Sequence, residues 1–158
     1  MMGNKETVIA YILNRNESML VDFKRDFYKN LRDTDFSKDI AAFANLDSGE
    51  DRYIIFGVDD KSRKIVGIRR DTYISLDSMD NYLERTVEPF IQIESEIFRY
   101  LGKSIAYIKI CKENTDRPYV IKENCGKNNQ IEKGDVYIRK GTCNQKAVRM
   151  DLDEMYRK

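Results

Sequence analysis

Residues 16–27 read NESMLVDFKRDF and set Glu17, Asp22 and Lys24 into a stretch that also carries Leu20, Val21 and Phe23. On a strand over 20–24, side chains alternate between faces, so Asp22 and Lys24 share one face and Val21 and Phe23 the other. That polar face has two readings: a solvated edge with a Lys–Asp pair, which contributes little, or the floor of a site. A second chemistry-bearing stretch follows residue 138, where Arg139, Lys140, Thr142 and Lys146 surround Gly141. Backbone amides freed at the glycine, a hydroxyl and flanking cations suit a phosphate; a solvated basic loop is the alternative. Arg25, Lys29, Arg32, Arg69 and Arg70 could extend that surface beside Lys24, with Tyr28 and Tyr137 available to stack on bases. Asp59 and Asp60 follow an apolar run and read first as an Asp-rich turn. Asn45 reads as the end of a helix, tolerant of a left-handed backbone, or as an amide that bonds a phosphate or orients the Asp60 loop.

Composition removes whole classes of mechanism. The chain has no histidine, so Ser-His-Asp and Cys-His catalysis and a histidine base are excluded within it. Cys111, Cys125 and Cys143 are widely spaced, which gives neither a zinc site nor a disulfide framework and suits free thiols in a reducing compartment. Lys and Arg total 28 against 27 Asp and Glu, so any nucleic-acid surface must be local. Residues 101–104 (LGKS) lack the preceding glycines of a Walker A loop, and no ATP site is expected. No apolar run reaches membrane-span length and the first residues lack a signal-peptide layout, so no membrane partner and a cytoplasmic location are expected.

The elements that must position these residues follow from periodicity. Val8, Ile9, Ile12 and Leu13 predict a helix over 7–13. Residues 24–34 read as a connection, and Asp35 or Ser37 starts a helix through Ile40, Phe43 and Ala44 that ends near 45–49. RYIIFGVDD is the expected central strand, with KIVGI over 64–68 returning as its hairpin partner. Leu76, Met79, Leu83 and Val87 predict a helix closed by Pro89, and two alternating segments around LGKS predict a second hairpin. RPYVIK and DVYIRK are short strands flanking an expected mobile loop, and 151–156 forms a last helical turn. At 158 residues without repeats or a linker, the chain is expected to be one α+β domain over 1–158, with a mixed or mostly antiparallel sheet flanked by helices.

The ordered set ESMLVDFKRDF, DIAAFAN, YIIFGVDDKSRKIVGI, VEPF and YIRKGTCNQKA resembles the Schlafen AlbA-2 domain family over about residues 17–147. The resemblance implies nucleic-acid binding. In ribonuclease members it implies a three-carboxylate site cleaving transfer or ribosomal RNA with a divalent metal, matched here by Glu17, Asp22 and Asp60. Asp22 stands where the family usually has glutamate. Such a site would hold Mg²⁺ or Mn²⁺ on oxygen ligands, with Lys24 neutralising the transition state. The expectation is a protein that binds nucleic acid, RNA before DNA, as a metal-dependent endoribonuclease or else as a non-catalytic DNA-binding regulatory or protein-interaction module. Eukaryotic relatives pair two copies as a clamp and carry zinc; with one copy and no zinc ligands, a symmetric homodimer is expected here.

Overall fold

Arg52–Phe56 (β2, RYIIF) is buried at all five positions in the computed structural model, which describes residues 3–14 and 18–157. A strand covered on both faces reads as a continuous apolar run. β2 lies inside a four-stranded sheet, between Val21–Lys24 (β1) and Lys103–Ile110 (β5), with Ile93–Tyr100 (β4) on the far edge. β1 runs parallel to β2, Asp22 opposite Ile54 and Lys24 opposite Phe56, and the other two pairings are antiparallel. The sheet is therefore mixed, as expected for this α+β chain.

The period-two alternation divides the core in two. Val21, Phe23, Tyr53, Ile55 and Ile105 pack against Val8 and Ile12 of the helix Asn4–Asn14 (α1). Ile54, Phe56, Ala106 and Ile108 pack on the opposite side against Phe36–Ala44 (α2) and Leu76–Thr86 (α3). Ser75 caps α3, its hydroxyl accepting from the Ser78 amide. Val87–Glu88 (β3) pairs with Val120–Ile121 (β6), and Tyr137–Lys140 (β7) with Cys143–Lys146 (β8), before the final helix Arg149–Tyr156 (α4).

Three expectations need correction. Residues 64–68 form no strand: one side of β2 is taken by β1 and the other by β5, leaving no free edge. A single bridge, Val58 to Ile65, remains of the expected hairpin. There the chain lies close enough that a Cβ on Gly57 would stand 3.2 Å from the Gly67 Cα, and both glycines have positive φ. The loop between β6 and β7 is anchored rather than loose, because Cys125 and Ile131 are buried and bridge each other. The basic stretch after residue 138 is a hairpin, with Gly141 at positive φ in its two-residue turn.

Candidate nucleic-acid interface

The register that sends Val21 and Phe23 toward α1 sends Asp22 and Lys24 toward α2. Neither charge simply meets water. The Lys24 ammonium lies 3.3 Å from Asp22 Oδ2 and 3.5 Å from Asp39 Oδ2, a carboxylate of α2 that is 4% exposed and therefore requires partners. Asp39 also accepts from the Tyr28 hydroxyl at 2.6 Å and from the Asn144 amide at 2.9 Å. Burial alone would lower the Lys24 pKa, but the Asp39 and Asp22 carboxylates outweigh it and hold the pKa above its ordinary value. Burial, reinforced by Asp39, pushes the Tyr28 phenol well above its usual range.

The network continues to Arg139. Its guanidinium donates to Asn144 Oδ1 at 3.1 Å and to the Ser18 and Val21 carbonyls at 2.9 and 3.2 Å, and stacks 4.4 Å from the Phe43 ring centroid. Arg139 is 2% exposed. Its assignment to nucleic-acid binding is therefore corrected: its donors tie β7 to the entry of β1 inside the fold. Tyr28 and Tyr137 are likewise buried and unavailable for stacking on bases.

Asn45 closes the same assembly. Its amide donates to the Tyr119 and Tyr137 carbonyls at 3.1 and 2.7 Å and accepts from the Tyr119 N–H at 2.7 Å. Its backbone is right-handed (φ −80°), so the residue type is set by this three-way clamp and not by a left-handed cap.

Of the three carboxylates expected to share a metal, Glu17 lies outside the described residues. Asp60 is exposed on the turn beyond β2, beside Asp59, whose carboxylate is held by Arg25 at 2.9 Å and by the Lys61 and Ser62 amides. Those two amides, chiefly, bring Asp59 down to a pKa of about 2. Asp22 stands back along β1, and the carboxylate sharing its cation is Asp39, not Asp60. Among the described residues no three acidic, cysteine or histidine side chains gather to hold a metal ion. Lys24 bridges Asp22 and Asp39. Asp39 was legible in one respect: with Phe36, Ile40 and Phe43 it falls on the buried helical stripe, where an acid must find partners.

The remaining cations divide. Lys140 reaches Asp151 at 2.8 Å and lowers that carboxyl's pKa, while Lys146 lies 3.5 Å from Asp135. Thr142 is exposed at the hairpin turn. Arg25 is engaged by Asp59, and Arg70 is exposed. Lys29 and Arg69 alone of the expected set line one concavity, of about 590 Å³, formed where residues 26–29 face 67–74. Lys29 also borders a second concavity of about 520 Å³ with Asn30, Thr34 and Lys127. Sequence reading missed Lys127, since it sits in the loop expected to be mobile.

The family model described as Schlafen, AlbA_2 matches residues 17–148. A curated relative, the uncharacterized ATP-binding protein UU034 of Ureaplasma parvum, is 27% identical over 158 residues, covering 90% of this chain and 43% of its own length. The chain thus spans less than half of that relative. Two solved structures share the fold. The DIP2311 protein of Corynebacterium diphtheriae aligns with a TM-score of 0.57 at 16% identity, over 99% of this chain and 29% of its own. The N-terminal domain of a RecG-related protein from Nitrosomonas europaea aligns at 0.53 and 19% identity, over 93% of this chain and 95% of its own. Among the described residues no helix is long and apolar enough to cross a membrane. With the family model spanning most of its length and the ordered motifs interlocked through Asn45 and Arg139, the chain belongs to the Schlafen AlbA_2 family.

Proposed function

We propose that this chain is a nucleic-acid-binding domain that engages RNA in preference to DNA through the surface around Lys29 and Arg69. The observation that carries the reading is the convergence of these two cations, distant in sequence, on one concavity. Arg70 is exposed on the flanking segment. Asp26 and Asp71 line the same concavity. Carboxylate acceptors beside cations suit a ribose 2′-hydroxyl, a group that DNA lacks. The RecG-related name of one structural neighbour is in keeping with a nucleic-acid setting. The test is anisotropy titration of labelled transfer RNA, single-stranded RNA and DNA of equal length across a salt series. Binding that weakens in Lys29→Ala and Arg69→Ala, and more for RNA, supports the reading; equal affinity of the wild type and both variants overturns it.

Metal-dependent cleavage is a second reading, favoured by the partial exposure of Asp22 and Lys24 and by the acidic residues Glu17, Asp22 and Asp60 inside the span that the family model matches. Incubation with transfer RNA and Mn²⁺ beside Glu17→Ala and Asp60→Ala decides it. Cleavage lost in both variants supports an endoribonuclease, whereas no cleavage with binding unchanged in all three removes it. A symmetric homodimer would supply the second copy of a two-domain clamp, and sedimentation showing only monomer at micromolar concentration rejects it.

A further inference from the structure

We propose that the larger concavity takes one unpaired nucleotide of an RNA strand, its base against an apolar floor and its phosphate on Lys29. This deepens the nucleic-acid reading above and rests on it. The floor is made by Phe27, Ile68, Tyr73 and Ile74. Ile68, Tyr73 and Ile74 remain partly exposed while packed on the main core, and the Phe27 and Tyr73 rings meet at 5.2 Å. At about 590 Å³ the space falls within the ~300–1,000 Å³ usual for small-molecule sites.

The rim is polar, with Asp26, Lys29, Arg69, Asp71 and Thr72 around it. Arg69 pairs with Asp71 at 2.6 Å, but both side chains are largely exposed, and a pair in water is readily exchanged for a phosphate. The second concavity has a different lining, polar throughout, with Asn30, Thr34, Lys127 and Asn128. The Gly126 amide donates to the Arg32 carbonyl at 2.7 Å, so its two walls are fixed to one another. Lys29 borders both spaces. A cation at that junction stands where the phosphate joining two successive nucleotides would pass.

Charge balance selects the mode of binding. Over both linings, Lys29, Arg69 and Lys127 are offset by Asp26, Asp33 and Asp71. A neutral lining gives little of the counterion release on which duplex binders depend. Contact with an unstacked base must therefore provide much of the affinity, and in a duplex the base faces are inaccessible.

The experiment uses the whole chain with a short single-stranded RNA carrying one 2-aminopurine, read by fluorescence and anisotropy. The expected results are a fluorescence change on binding, a salt slope of roughly −0.7 to −1.5, corresponding to one or two phosphates, and affinity at least ~10-fold weaker for a fully paired hairpin. Ile68→Asp should abolish the fluorescence change and weaken binding ~10-fold or more. Thr72→Phe, at the exposed rim and away from the core, should do the same by blocking the mouth, which guards against misfolding of the first variant. Unchanged binding in both variants, or a hairpin bound as tightly as the single strand, overturns this inference and leaves the nucleic-acid reading standing. Absence of binding to any nucleic acid overturns both. Adenosine monophosphate competing as well as the oligonucleotide would assign the site to a free nucleotide and overturn the strand proposal.

Discussion

Around Arg139 the charged and polar side chains are buried and joined to one another; around Lys29 they stand at the surface and line open space. Both regions are built from residues that, as sequence, look equally suited to a phosphate. They differ in desolvation. A buried guanidinium needs partners in the folded state, and Arg139 sets its two terminal nitrogens on the Ser18, Val21 and Thr142 carbonyls and Asn144. An exposed ammonium keeps its water and can exchange it for a ligand. Removing the first should destabilise the protein, and removing the second should leave the fold intact and change binding.

The sharpest test of that contrast is Arg139→Met. Methionine fills volume but leaves several buried acceptors without donors, each costing roughly 1–3 kcal/mol, and the expected loss is about 3–5 kcal/mol in urea unfolding. A loss below about 1 kcal/mol with weakened RNA binding would return Arg139 to the binding surface. Asn45→Ala should cost about 2–3 kcal/mol by the same assay, since the Tyr119 amide and two carbonyls lose their partner at once.

Alkaline pH probes the network without mutation. Lys24 and Tyr28 both have raised pKa values in the folded state. The native protein therefore holds protons that the unfolded chain releases first. Their stabilisation is complete below the unfolded values, near ~10, and is lost as pH rises through the folded values. Stability measured by denaturant should fall progressively above that point, and Tyr28→Phe should flatten the fall. A flat alkaline profile in the wild type would mean the network does not hold these protons.

Lys29→Ala should leave stability within about 0.5 kcal/mol of wild type while weakening RNA binding several-fold, read by thermal melting and anisotropy on one sample. Lys140→Ala should have the smallest effect. Its pair with Asp151 is partly solvent-exposed and contributes at most about 1 kcal/mol, and RNA affinity should be unaltered. Lys140→Ala exceeding Lys29→Ala in its effect on binding would move the interface to the β7–β8 hairpin.

Legibility followed the range of the interactions involved. The helices α1, α2 and α3, the central strand β2 and the β4–β5 hairpin were readable because amphipathic period and turn residues act within a few positions of one another. The missing strand at 64–68 was not, because competition for the two edges of β2 involves β1 and β5, far off in sequence. The same limit applies to the site. The shared face of Asp22 and Lys24 was visible in the alternation of 20–24, but nothing local shows that Asp39 and Asn144 come to meet it.

By itself the sequence determined the α+β class, the exclusion of histidine chemistry, the two faces of β1 and the family to which the ordered motifs belong. Only the tertiary structure decided which cations are buried and which remain accessible. The physical reason is that desolvation depends on what packs over a side chain. Arg139 is covered by α2 and the entry of β1, while Lys29 is left at the junction of two open concavities.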